Sequence, residues 1–178
     1  GVRRHTGDAC PARVLGELGA TYFQSNRFVE AEGHLREAYA KSESGSERAL
    51  FANDLGNLSA SRGRRDEAIR YYEEARELGA EDPGIAVSAG LNLARLMPPE
   101  QRATQLQALQ SDIAGVPDEH ERARYLVNLG TQARDLGPSA TRLAFESLTQ
   151  ARKLADTQRD DWLAAQALDG LAQLYEDR

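Results

Sequence analysis

Apolar residues recur along the chain at steps of three and four positions, in segments long enough for several turns of helix. Leu15, Leu18 and Tyr22 mark one such segment, and Leu126 and Leu129 mark another. This spacing places the apolar side chains on one face of an α-helix. No run of alternating apolar and polar residues has a useful strand length. The pattern therefore predicts an all-α protein.

A leucine followed by a small residue recurs within the first helix of each predicted helix pair. These dipeptides are Leu18-Gly19, Leu55-Gly56, Leu93-Ala94, Leu129-Gly130 and Leu171-Ala172, at intervals of 36 to 42 residues. A second amphipathic segment follows the first four of them, at 28–40, 66–78, 100–113 and 139–155. Repetition at intervals of this length is typical of stacked helix pairs. We name the two helices of each pair A and B.

Residues that end helices separate A from B. Asn26, Gly63 and Gly137 each lie eight positions after the leucine of their dipeptide. Glycine readily adopts the left-handed conformation that closes a helix C-terminus, and asparagine is the next most frequent residue there. The small residues Gly56 and Ala68 then allow helices A and B to approach closely.

Two units resemble tetratricopeptide repeats. The resemblance rests on Leu18-Gly19-x-x-Tyr22 followed by Ala31, Leu35 and Ala38, and on Leu55-Gly56 followed by Ala68, Tyr72 and Ala75. Leu129-Gly130 with Ala144, Leu148 and Ala151 is similar after two inserted residues near Pro138, whereas Met97-Pro98-Pro99 interrupts the third unit. The longer spacing resembles the repeats of kinesin light chain and of bacterial signalling proteins.

The resemblance implies a right-handed superhelix, an α-solenoid of antiparallel helix pairs. It implies repeat units at about 12–45, 47–82, 84–116 and 119–157, with a single A helix at 160–178. Residues 1–10 are interpreted as the remnant of a preceding repeat and its linker.

Composition restricts the class of protein. A hydrophobic content of 40% with 28% charged residues is typical of a folded globular chain. No apolar run approaches the roughly 18 residues of a membrane span, so we expect no membrane contact. The net charge of −6 disfavours nucleic acid as a partner. Arg62, Arg64 and Arg65 form a local basic cluster, which we interpret as a solvated turn.

Candidate chemistry is sparse. His5, His34 and His120 lie in different repeats without metal-ligand spacing, and no phosphate loop or nucleophile elbow occurs. Cys10 is the only cysteine, which excludes an internal disulfide or a cysteine-based zinc site and agrees with a reducing compartment. We predict a cytoplasmic protein that is not an enzyme, with no catalytic residue, no metal and no cofactor.

The tetratricopeptide resemblance implies that A helices line an inner groove. The polar residues at the corresponding positions are Asn53, Asn57, Asn92, Arg95, Arg124, Asn128, Thr131 and Gln173. An asparagine amide both donates and accepts hydrogen bonds, so it can bind the backbone of an extended peptide. Arg95 and Arg124 favour acidic side chains or a carboxylate.

We therefore predict a protein–protein interaction module that binds a peptide or a helix in this groove, as part of a larger multidomain protein. One alternative is a regulatory or sensor arm that controls an attached effector domain. Another is a structural module that associates with itself through an apolar face of the last helix, formed by Leu168, Leu171, Leu174 and Tyr175.

Overall fold

A computed structural model of the protein describes residues 11–176, and its regular elements are helical throughout this range. They are α1 (Ala12–Gln24), α2 (Phe28–Lys41), α3 (Gly45–Ser61), α4 (Arg65–Leu78), α5 (Pro83–Arg95), α6 (Pro99–Ala114), α7 (Glu119–Arg134), a 3-10 turn (Gly137–Ala140), α8 (Thr141–Gln158) and α9 (Asp161–Glu176). Consecutive helices pack as pairs, so the predicted all-α class is confirmed. The segment predicted as a repeat remnant, with His5 and Cys10, lies outside the described residues.

The predicted stop residues adopt the left-handed conformation. Asn26, Gly63 and Gly137 have φ angles of 58°, 72° and 71°. Arg159, which ends α8, also has a positive φ of 56° and was missed by the sequence analysis. An arginine gives no sequence signal for this conformation, because its Cβ disfavours it.

The A helices α3, α5, α7 and α9 begin with a side-chain cap. The capping oxygens belong to Ser44, Asp82, Asp118 and Asp160, and each accepts a hydrogen bond from the backbone N–H three residues later. The B helices α2, α4, α6 and α8 have no such bond. Each of these A helices therefore has a well-defined first residue, because the cap satisfies a backbone donor that the helix leaves unpaired.

Contacts divide the chain into two compact units, Gly1–Gly79 and Ala80–Arg178. In the first, the glycine of each leucine-glycine pair lies against a bulky side chain of the B helix. A Cβ added at Gly19 would lie 2.6 Å from Cγ of Leu35, and one added at Gly56 would lie 2.5 Å from Cε1 of Tyr72. The predicted close approach of A and B is therefore present, with Tyr72 as the residue that needs the space at Gly56.

Arg62 and Arg65 are exposed, as expected for a solvated turn, and Arg62 and Arg64 also join this turn between α3 and α4 to α2. Arg62 and Arg64 both bind the carboxylate of Glu32, and Nη1 of Arg64 lies 3.0 Å from Glu32 and 3.0 Å from Glu67. Arg36 bridges the same two carboxylates at 2.8 and 3.2 Å. The hydrogen bond from Arg64 is the main reason that the pKa of Glu32 is lowered.

The second unit centres on α6, α7 and α8. Leu148 of α8 is fully buried, and its side chain lies between two glycines. A Cβ added at Gly130 of α7 would lie 2.6 Å from Cγ of Leu148, and one at Gly170 of α9 would lie 3.0 Å from its Cδ1. The backbone of α9 at Gly170 therefore packs directly against Leu148 in the core.

This packing divides the apolar face that was predicted for self-association. Leu174 is only 7% exposed and Leu171 is half-buried, and both pack with the core of the second unit. Leu168 and Tyr175 stay exposed, at 41% and 61%. The four residues do not form one open face, because α8 covers part of it.

No helix within residues 11–176 is long and apolar enough to cross a membrane.

Candidate functional site

A cavity of about 530 Å³ opens in the second unit, between the ends of α5 and α6 and the faces of α7 and α9. Its lining consists of Arg95, Arg102, Arg124, Val127, Asn128, Thr131, Gln132, Asp135, Trp162, Leu163 and Gln166. Four of the residues predicted for the groove, Arg95, Arg124, Asn128 and Thr131, thus lie at one site. The α7 helix supplies three of them because residues 124, 128 and 131 share one helix face.

Arg102 holds the end of α5 beside the cavity. Its Nε donates to the carbonyl of Ala94 at 3.1 Å, and its Nη2 donates to the carbonyls of Arg95 and Met97, both at 3.1 Å. These carbonyls lie at a helix C-terminus, where a cation is favourable. The sequence analysis missed Arg102, since its role depends on the turn between α5 and α6.

Arg95 and Arg124 are exposed at the cavity, and neither forms an ion pair with a carboxylate within residues 11–176. Arg95 donates from Nη2 to Oδ1 of Asn92 at 3.2 Å. The acidic residue of the lining, Asp135, is paired with Arg134 at 2.9 Å. The cavity therefore has a local excess of positive charge in a chain whose net charge is −6.

Gln132 contributes a buried acceptor. Its side chain is 5% exposed, and its Nε2 donates to the carbonyl of Leu91 at 3.0 Å and to Oδ1 of Asn128 at 2.9 Å. These two acceptors determine which amide atom is nitrogen. The remaining atom, Oε1, is buried and has no hydrogen-bond partner in the described part of the chain. Such an unpaired acceptor is unusual in a protein interior and requires an explanation.

Trp162 lies at the edge of the same cavity. It is the only tryptophan of the chain, and its side chain is 70% exposed at the start of α9. Tryptophan combines a large apolar surface with an N–H donor, which makes it a frequent anchor for bound partners. Trp162 was not predicted from the sequence as a site residue. Gln166, one helical turn further along α9, also lines the cavity.

The other predicted residues of the second unit support the cavity from outside its lining. Asn92 accepts a hydrogen bond from Arg95. Gln173 accepts one from Arg134 and donates from Nε2 to Asp169 at 2.8 Å. Asn92 and Gln173 thus orient neighbouring side chains, and their contact with a ligand stays a prediction.

Asn53 and Asn57 belong to the first unit. Asn53 is buried within α3, and Oδ1 of the half-buried Asn57 accepts a hydrogen bond from the Tyr72 hydroxyl at 2.9 Å. Asp54, between them, is half-buried, and this burial raises its pKa from 3.8 to about 6. The predicted groove role of both asparagines stays a prediction, alongside this visible role of Asn57 in packing.

The histidines of the described range lie apart from the cavity lining. His34 stacks on Tyr22 with ring centroids 5.2 Å apart, and Nδ1 of His120 lies 3.3 Å from a carboxylate oxygen of Asp160. Within residues 11–176, no group of three or more potential metal ligands occurs among histidine, cysteine and acidic residues.

These features define a repeat protein of antiparallel helix pairs with a cationic cavity in its second unit. A family model described as "Tetratricopeptide repeat" matches residues 12–44 and 48–81. These two segments are tetratricopeptide repeats, so the family that the sequence analysis predicted is confirmed. Such repeats act as interaction scaffolds.

One similar solved structure is the crystal structure of a Rap protein complexed with competence and sporulation factor. The two chains share 18% sequence identity with a TM-score of 0.69, over 92% of this chain and 48% of that one. This chain therefore spans about half the length of its structural neighbour, and the likeness concerns the fold. No curated protein matches the chain.

Proposed function

We propose that this module binds a peptide or a helix of a partner protein, and that the cavity between α5, α7 and α9 is its main contact site. The observation that carries the proposal is the convergence of Arg95, Arg124, Asn128 and Thr131 on that cavity. These residues come from different helices, so their proximity is a property of the folded repeat.

The chemistry of the lining supports a polypeptide ligand. Asn128 and Gln166 carry amides, which can match both the N–H and the C=O groups of a peptide backbone. The hydroxyl of Thr131 donates to the carbonyl of Val127 at 2.9 Å, and its oxygen keeps acceptor capacity. Trp162 adds an exposed apolar surface of the kind that anchors a partner side chain.

The structural neighbour is consistent with this proposal. The Rap protein was solved complexed with competence and sporulation factor, so a chain of similar architecture forms a complex with another molecule. The predictions of a sensor arm and of self-association stay open as alternatives. The cavity favours ligand binding over self-association, because only Leu168 and Tyr175 of the predicted apolar face are exposed.

A phage-displayed library of random dodecapeptides provides a direct test. The library is selected on the immobilised protein, and enriched peptides without tryptophan are synthesised and titrated while the fluorescence of Trp162 is recorded. We expect Asn128→Ala to weaken binding about tenfold, since one lost hydrogen bond in a buried site is worth about 1.4 kcal/mol.

The matched control is Gln150→Ala, which removes an exposed amide on α8 that does not line the cavity. It should leave the affinity unchanged. The proposal fails if no sequence is enriched above an unrelated bait, or if the enriched peptides bind the Asn128→Ala protein as tightly as the wild type.

A further inference from the structure

Resting on the proposed function, we propose that the cavity selects a peptide that carries a carboxylate. The carboxylate binds between Arg95 and Arg124, Oε1 of Gln132 accepts a peptide N–H, and Trp162 covers a neighbouring apolar side chain. Each part of this assignment rests on a different feature of the cavity.

The two arginines have capacity for an anion. Several arginines of the described range pair with carboxylates of the same chain, for example Arg64 with Glu32 and Arg142 with Glu146. Arg95 and Arg124 do not, although they face a shared cavity. A guanidinium presents a planar set of donors that matches a carboxylate at two points.

The charges around the cavity favour an anion. Arg102 adds a positive charge whose Nε and Nη2 are already occupied by backbone carbonyls, so it attracts an anion without being the main donor. Asp135 places a negative charge in the same lining. Because Asp135 is paired with Arg134, the lining keeps a net positive charge, and the phosphoserine pool described below distinguishes a phosphate group from a carboxylate.

Gln132 indicates that the ligand is a peptide rather than a simple organic acid. Its buried Oε1 has no hydrogen-bond partner among residues 11–176, and its Nε2 is held by two acceptors, so the amide cannot turn to satisfy itself. A group of this kind gains a hydrogen bond when a ligand supplies an N–H. Every peptide unit except proline offers such a donor beside its side chain.

Trp162 provides the third contact and a means of detection. Its 70% exposure at the cavity edge leaves a large apolar surface that a ligand can cover. Because the chain has no other tryptophan, a change in tryptophan fluorescence on binding comes from this side chain.

The test uses pools of capped hexapeptides that contain no tryptophan. One pool has aspartate at a fixed position, a second has asparagine there, and a third has phosphoserine there. A fourth, with asparagine retained, has a free C-terminal carboxylate in place of the C-terminal amide. All are titrated against the wild type, Arg124→Gln and the control Arg142→Gln, whose arginine pairs with Glu146 on α8.

We expect a carboxylate, on the side chain or at the C-terminus, to tighten binding to the wild type about tenfold or more over the neutral pool. Tighter binding of the aspartate pool assigns the carboxylate to a side chain, and tighter binding of the pool with a free C-terminus assigns it to the chain end. Arg124→Gln should abolish the difference, whereas Arg142→Gln should retain it, and circular dichroism should show equal helix content in all three proteins.

The inference is overturned if the neutral pool binds equally well, if the phosphoserine pool binds most tightly, if Arg142→Gln has the effect of Arg124→Gln, or if no pool binds. Its failure is distinguishable from failure of the proposed function. Display-selected peptides that lack any carboxylate but depend on Asn128 would sustain peptide binding and reject carboxylate selection.

Discussion

In the first unit, bare glycine backbone lies against a large side chain at three positions, Gly16, Gly19 and Gly56, whereas the second unit places one leucine between two glycines. Gly16 illustrates the first case, because a Cβ added there would lie 2.2 Å from Cε1 of Phe51 on α3. Leu148 illustrates the second, with Gly130 on one side and Gly170 on the other. The first unit thus repeats one contact, and the second shares one side chain among three helices.

One turn between an A and a B helix in the second unit departs from the pattern of the first unit. In the first unit, Asn26 and Gly63 close α1 and α3 with left-handed residues. At the end of α5, Pro98 and Pro99 follow instead, and the Arg102 side chain binds the exposed carbonyls. At this turn the Arg102 side chain binds backbone carbonyls of the α5 C-terminus. This departure from the repeat pattern brings positive charge to the cavity of the second unit.

The largest expected effect is that of Leu148→Ala. The substitution removes a fully buried side chain from between α7 and α9, and should lower the free energy of unfolding by about 2–5 kcal/mol. Urea denaturation followed by circular dichroism measures the loss, and hydrogen exchange should locate it in residues 80–176. The control Leu168→Ala removes the same atoms from an exposed site and should cost much less; equal losses would contradict the described packing of α9.

Asp54 offers a test that concerns only the first unit. Burial raises its folded-state pKa to about 6 from the ordinary value of 3.8, so its charged form destabilises the fold. The contribution of Asp54 to stability should be greatest below about pH 4 and should fall as the pH rises through about 6, by at most about 3 kcal/mol.

Asp54→Asn should remove this fall and stabilise the first unit at pH 7. Urea denaturation at a series of pH values measures it, with Glu17→Gln, an exposed change on α1, as the control. A pH dependence that persists unchanged in Asp54→Asn would show that another group causes it.

A smaller effect is expected from Gly56→Ala. The new Cβ would lie 2.5 Å from the Tyr72 ring, so the ring must shift, at a cost of about 1–3 kcal/mol. Gly33→Ala is the matched control, because no described atom outside the local backbone of α2 lies within 4 Å of a Cβ added there. It should stabilise the helix by about 0.5–1 kcal/mol. Thermal unfolding of both variants measures the contrast, and a stabilised Gly56→Ala protein would refute the close contact.

Much of the fold was predictable from local sequence signals. The helical period, the leucine-small pairs and the stop residues Asn26, Gly63 and Gly137 all act within one or two turns of chain, so they can be recognised without a structure. Arg159 was not predicted because an arginine, whose Cβ disfavours the left-handed conformation, gives no sequence signal for it. The predicted extent of the exposed apolar face on α9 was wrong, since residues distant in the sequence cover Leu174.

For the candidate site, sequence alone determined which positions of the A helices carry polar side chains, because the repeat period assigns each residue to a helix face. Only the tertiary structure decided that Arg95, Arg124, Asn128 and Thr131 share a cavity with Arg102, Gln132 and Trp162. The physical reason is that a cavity is formed by side chains from separate helices, and its lining depends on how far each helix rotates and where its neighbour ends. Helical periodicity describes one helix at a time and contains neither quantity.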